Sequence, residues 1–344
     1  MRSPELFRQC LGKEEYYVDF LVFFQQEIEK SSWQEVVNET FFSRTDLADD
    51  MLCRLFAGFL HPIIHLGFGI EFEQPAIIAE GLAETAVHSV YLDKLFLPTE
   101  KLARENSNTP SKSIAELLDV IRNDKEMLDA PRFSDGNKLR DGVLARAGPR
   151  MVAIASKFRV DPGELERKTA EMTNAVAYYT AGAQREQHIR KYDFYFMHCL
   201  NSSIFFSAFL KQDWLSEENK VRLLNWKVWN DLAMYASRKS PAIRMDLVRE
   251  YKPKQNSGWE EIENRVTALE DDGHASKLVR ALAHGQAICT PYEDRPEFRV
   301  KQDDWLLMGH MAIDSVEAGE PHWVRSAGFD EMQAWETIPL RAQL

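Results

Sequence analysis

Closely spaced cysteines are the first thing this sequence lacks. It holds four, Cys10, Cys53, Cys199 and Cys289, spread over 344 residues. That leaves no CxxC pair, no zinc-knuckle spacing and no disulfide framework, and it fits a reducing compartment. Long apolar runs are lacking too. A bilayer span takes ~20 consecutive apolar residues, and the run Tyr16 to Phe24 is broken by Asp19. No signal-peptide pattern is expected, because acidic residues come early. Basic residues are outnumbered, 42 Lys and Arg against 54 Asp and Glu, for a net charge of −12. An acidic surface repels phosphate backbones and anionic lipid, so neither nucleic acid nor a membrane is an expected partner. The expectation is a soluble cytoplasmic protein.

Several catalytic motifs are missing as well. There is no Walker loop, no HExxH and no GxSxG. Gly67 and Gly69 lack the third glycine of a dinucleotide fingerprint and follow no strand, which argues against a Rossmann domain. No HxD or HxE pair starts a common two-histidine, one-carboxylate iron site.

What is present is helical periodicity. Hydrophobic residues make up 44% of the chain, enough for a real core. Tyr17, Phe20, Leu21, Phe24 and Ile28 form one apolar stripe at i, i+3, i+4 spacing. Ser32 with Glu35, and Ser113 with Glu116, read as capping boxes. Asp161, Pro162 and Glu164 start a helix running to about Thr180. Pro75 opens one expected to reach about Phe96, and Ser216 one expected to reach about Arg238. Alternating β-branched runs are absent, which predicts few strands or none. Turn-forming residues cluster at 97–113, 128–148 and 251–258. Length alone would suggest two domains. The apolar helices on both sides of the middle loops nevertheless predict one all-α, multi-helix bundle over 1–344, with a mobile, loop-rich insert near 98–148 and an irregular tail over 317–344.

Histidine carries the candidate chemistry. His61 and His65 lie four apart in Leu60-His-Pro-Ile-Ile-His-Leu66, one turn apart on one helix face, a spacing that suits two neighbouring metal positions. The alternative is a pair of core histidines bonded to backbone. His198 shares a face with Phe194, Asn201, Ser202 and Phe205; with Tyr195 these could line a pocket for a flat aromatic ligand, or simply pack in the core. Lys227 sits among Leu223, Leu224 and Met234, where burying an ammonium is costly. It reads as a low-pKa amine, a carbamate that ligates a metal, or a lysine reaching solvent beside Asp231. His88, on a face with Glu84, Thr85 and Tyr91, and His310, one turn from Asp314, are candidates for a catalytic or structural role. His274 follows Asp271, Asp272 and Gly273 and reads as a helix cap. His188, His284 and His322 read as surface residues.

The block Leu60-His-Pro-Ile-Ile-His-Leu-Gly-Phe-Gly-Ile-Glu-Phe72, continuing through Gln74-Pro75 to Ala86-Val-His88, resembles the questin oxidase-like family of fungal polyketide-tailoring enzymes. Phe196-Met-His198, Trp226-Lys227, Asp231 to Tyr235, Asp272-Gly-His274 and His310 to Val316 resemble its further blocks in the same order, so the likeness covers about residues 10 to 320. It implies a helical fold and an oxygen-dependent Baeyer–Villiger-type or ring-cleaving oxidation of an anthraquinone-like polyketide in secondary metabolism, with NADPH. It also implies non-haem iron(II) held by His61, His65, His198 and a carboxylated Lys227. Family members open with a further histidine-bearing helix ahead of the segment matching Leu11 to Phe24. The expectation is therefore either an impaired, shortened homologue or a ligand position filled by water or by a histidine such as His88. A metal-dependent hydrolase on the same ligands and a non-catalytic binding homologue are the alternatives.

Overall fold

Helix starts are set locally, by side chains that accept from otherwise unpaired backbone N–H groups. In the computed structural model, which describes residues 3–341, Ser32 Oγ accepts from Glu35 N at 3.2 Å and Thr45 Oγ1 from Ala48 N at 3.1 Å. Ser113 and Glu116 close a full capping box, an arrangement worth ~1 kcal/mol. The Ser216 start opens the long Glu217–Ser237 helix as expected, and the 162–164 start leads into Leu165–Gly182.

Three long helices, Leu165–Gly182, Phe194–Leu210 and Glu217–Ser237, form the centre and are buried on nearly every side. Met172, Tyr179, Phe196, Leu200, Trp226, Leu232 and Tyr235 are wholly enclosed; Phe194–Leu210 is apolar nearly all round, while the other two bury polar groups such as Glu171, Asn174, Lys227 and Asp231. The His61–Glu71 and Pro75–Val87 helices pack as an antiparallel pair beside them, with Tyr17–Lys30 against the latter. On the other flank, His274–Cys289 packs on both Phe194–Leu210 and Gln302–Glu317. The fold is all-α. The named strands among the described residues are β1, Tyr192–Asp193, and β2, Trp323–Val324, paired in parallel with Tyr192 opposite Trp323.

Two expectations change. The 98–148 stretch carries helices: Asp93–Glu105 runs into it, and Ile114–Arg122, Lys125–Asp129 and a π-helical turn at Lys138–Leu144 follow. Leu117, Leu118, Ile121, Met127 and Val143 from these elements join the core. The helix expected from Pro75 to Phe96 stops at Val87, because the Ala86 carbonyl accepts from Gly12 N at 2.9 Å and the His88 carbonyl from Arg54. The tail is largely irregular but docked. Ile189 N donates to Pro339 O at 3.0 Å, Arg341 N to Gln187 O at 2.9 Å, and Trp335 is fully buried. Residues 342–344 of the expected tail lie outside the described residues. No single described helix is long and apolar enough to cross a membrane.

Candidate functional site

His61, His198 and His274 come from three separate helices, and one ring nitrogen of each lies within 4.8 Å of the other two. His61 begins its helix directly after Gly58, Phe59 and Leu60, whose φ angles of 54°, 56° and 70° are all left-handed. Left-handed backbone costs a non-glycine residue ~1–2 kcal/mol, so strain is concentrated on the turn that aims His61. Gly58 is required there for a second reason: a Cβ on it would fall 2.1 Å from His88 Nε2. His198 sits one turn into Phe194–Leu210, whose start is capped by Asp193, its Oδ1 accepting from Tyr195 N at 2.8 Å and Phe196 N at 3.2 Å. His274 opens its own helix after Gly273 at φ 81°, with Asp271 accepting from Gly273 N and Ala275 N, both at 2.9 Å.

The His61 and His198 Nε2 atoms are 2.9 Å apart. His198 Nδ1 lies 2.6 Å from the Phe194 carbonyl. That oxygen can only accept, so the ring proton is on Nδ1 and the Nε2 lone pair is free. Metal-binding histidines carry this same outer hydrogen bond. Two nitrogens each ~2.1 Å from one ion and at right angles about it would be ~3 Å apart, so the pair suits adjacent ligands. Burial pushes the His198 imidazole down to about 3, and His61, His274 and Lys277 push the same way, so the ring is neutral. Burial lowers His61 as well, against the pull of Glu84. His274 Nδ1 lies 2.5 Å from Asp272 Oδ1. His198 is buried, His274 half-buried and His61 exposed, so the cluster opens to solvent on the His61 side.

Aromatic rings form its walls. Phe194 lies 4.6 Å from the His198 ring and 5.2 Å from that of His274, centroid to centroid. Tyr195 packs on Phe59 at 4.8 Å and beneath the Arg238 guanidinium at 3.6 Å. Of the five expected lining residues, Phe194 and Tyr195 are here. Phe205 is wedged over Gly67, where a Cβ would come within 2.3 Å of its ring, and Asn201 and Ser202 are buried, Ser202 donating to the Cys199 carbonyl at 3.0 Å.

The expected ligand set His61, His65, His198 and Lys227 is not brought together. His65 has both nitrogens on carboxylates, Nδ1 at 3.1 Å from Glu84 and Nε2 at 3.0 Å from Glu80. Those bonds raise its pKa, Glu84 foremost, and favour the imidazolium, which has no lone pair to give. Lys227 is fully buried, its Nζ donating to Asp231 and, at 3.0 Å, to the Cys199 carbonyl. His274, read from sequence as a cap, takes the third place. One turn on, Lys277 is the lysine whose charge reaches both His61 and His198. The missed signal was the His274-x-x-Lys277 spacing, which puts both on one helix face.

Of the two catalytic candidates, His88 borders the site beside Gly58. Its Nδ1 is 2.7 Å from the Glu84 carbonyl, so its Nε2 lone pair is also free. His310 and Asp314 do not form a pair. His310 Nε2 meets Ser257 O at 2.8 Å, while Asp314 accepts from Tyr251, Lys254 N and Arg265. His188, read as a surface residue, is buried, with Nδ1 2.7 Å from the Ile338 carbonyl.

The profile of the Questin oxidase-like family matches residues 1–282. The chain belongs to the questin oxidase-like family. Among its relatives, the Baeyer-Villiger oxidase ptaJ of Pestalotiopsis fici is 41% identical over 98% of this chain and 78% of its own length. The questin oxidase of Aspergillus fumigatus is 39% identical over the same shares. Oxidoreductase AflY of Aspergillus parasiticus is 39% identical over 94% of this chain and 67% of its own. Membership therefore places the chain among oxidases.

Proposed function

We propose that this protein is an oxygen-dependent, Baeyer–Villiger-type or ring-cleaving oxidase of an anthraquinone-like polyketide in secondary metabolism, with non-haem iron(II) at His61, His198 and His274. The observation that carries the reading is the meeting of three imidazoles at one solvent-reachable point, joined to the oxidase names of the relatives. The donor set fits such an ion: three nitrogens, His198 held as the neutral tautomer by the Phe194 carbonyl, and room on the exposed His61 side. Bound there, the ion would supply redox chemistry toward dioxygen.

The chain's own residues do the rest. Phe194, Tyr195 and Phe59 offer rings on which a flat aromatic substrate stacks. The left-handed turn and the Asp193 cap hold His61 and His198 in register. His88 Nε2 is an acceptor at the border, suited to hold a proton or to complete the donor set. An anionic ligand from a carboxylated lysine fits Lys277 better than Lys227, whose ammonium is spent on Asp231.

Inserting one oxygen atom of dioxygen into a C–C bond, with the other leaving as water, takes two electrons from a donor of the NADPH class. Cleavage that keeps both atoms takes none. Protein purified without oxygen and assayed with a hydroxyanthraquinone tests the proposal through iron content, nitric-oxide-complex spectra, and oxygen and NADPH consumption. Near-stoichiometric iron and substrate-dependent oxygen uptake are expected. Iron-free protein that turns over the probe without oxygen would overturn it.

A further inference from the structure

The tail reaches the histidine cluster. Parallel pairing of β2 with β1, and the bond from Ala327 N to Asp193 Oδ2 at 2.8 Å, lay residues 323–327 beside the start of the helix that carries His198. Just past β2 the chain bends, with Ser326 at φ 73°, and Val324 and Ser326 are buried while Arg325 is exposed. Its guanidinium carbon lies 4.3 Å from the centroid of the Phe194 ring, and that same ring packs on His198 and His274. One aromatic ring thus separates an exposed cation from two of the three clustered histidines. Trp323 stands 6.4 Å from the His274 ring.

The Arg325 side chain has no ion-pair or hydrogen-bond partner among the described residues. Arg222, Arg249 and Arg265 each hold a carboxylate. The contact with Phe194 occupies none of the guanidinium N–H donors, which remain available to grip a carboxylate with two bonds. Lys277, the other cation near the cluster, is likewise without a carboxylate partner among the described residues. Asp272 and Glu84 supply negative charge beside His274 and His61, so Arg325 is the cation on the Phe194 side of the cluster whose side chain holds no carboxylate.

We propose that Arg325, stacked on Phe194, recognises an acidic group on the aromatic substrate, a ring carboxylate or an ionised phenol. The inference rests on the reading of the cluster as an aromatic-polyketide site, and it adds the charge the substrate must carry.

The test uses the full chain, anthraquinone-2-carboxylate and its neutral counterpart anthraquinone-2-carboxamide, with affinities from calorimetric titration. The carboxylate is expected to bind about tenfold more tightly. Arg325→Gln should erase that preference by weakening the carboxylate alone, and Arg325→Lys should restore part of it. With an acidic substrate, KM should rise in Arg325→Gln and kcat stay near its starting value. Equal binding of the two probes, or equal weakening of both by Arg325→Gln, would overturn the role of Arg325 and leave the polyketide reading standing. Failure of wild-type protein to bind either probe would overturn the polyketide reading itself.

Discussion

The Nε2 atoms of His61 and His198 lie 2.9 Å apart although 137 residues separate them in the chain. Since the His198 nitrogen carries a lone pair, the contact requires a proton on His61 Nε2 or a cation shared between the rings. A shared cation makes a graded prediction. Cobalt(II) affinity, read from its visible absorption, should fall in His61→Ala, His198→Ala and His274→Ala by more than the ~10–100-fold of losing an outer partner. His65→Ala should stay within about tenfold of wild type by the same yardstick. Equal losses from His65→Ala and His198→Ala would refute this donor set.

Gly58 and His88 should behave as a coupled pair. A methyl at position 58 meets the His88 ring and also sits at a left-handed φ. Gly58→Ala should cost roughly 2–4 kcal/mol in urea unfolding, from overpacking and backbone strain together. Adding His88→Ala removes the clash but not the strain, so the double variant should recover all but ~1–2 kcal/mol. Additive losses would mean that the two residues do not touch.

Lys227 and Asp231 form an enclosed ion pair in the central helix. Removing one member strands the other's charge, so Lys227→Met should cost about 3–5 kcal/mol. Lys227→Met with Asp231→Leu should return to within about 1–2 kcal/mol of wild type by the same logic, and it should keep its metal. Loss of metal from that stable double variant would restore Lys227 as a ligand.

The sequence revealed what local chemistry decides. The Ser113–Glu116 box, the Ser32 cap and the Ser216 start are contacts within one turn, and each appears where the residues place it. The spacing of His61 and His65 correctly put them on one helix, but it could not show what faces them. Glu80 and Glu84, on the next helix, claim His65. His274 was legible as a helix start and illegible as a neighbour of His198, because that contact depends on how two helices 76 residues apart pack. Turn-forming residues near 98–148 outweighed the stripe of Leu117, Leu118 and Ile121. Arg325 carried no signal at all, since its place follows from a two-residue strand pairing.

The Asp231 carboxyl should shape stability against pH. Burial pushes it up to about 6, with the Lys227 ammonium working in the other direction. In the unfolded chain it titrates near 4. Between those values the folded state holds more protons than the unfolded one, so this group's contribution falls as pH rises from about 4 to 6. Other carboxylates slope the opposite way, so the measurement is a difference. Wild-type stability minus that of Asp231→Asn, from urea melts across this range, should decline with pH. A flat or rising difference would show that the carboxyl is not held up by burial.

Asp193 ties the cluster to the tail. Its Oδ1 caps the helix carrying His198, and its Oδ2 accepts from Ala327 N at 2.8 Å, two residues beyond Arg325. Asp193→Ala should lose ~1 kcal/mol for the cap and a further ~1–3 kcal/mol for the buried Ala327 amide left unpaired. The second loss should also loosen the strap, so amides 323–327 should exchange with deuterium faster while those of Leu165–Gly182 stay protected. Asp193→Asn offers one carbonyl oxygen where the carboxylate offers two. It can keep the cap or the strap, and exchange at 323–327 shows which. Unchanged exchange in Asp193→Ala would mean that β1 and Trp335 hold the tail without it, and that the site's aromatic wall does not depend on this carboxylate.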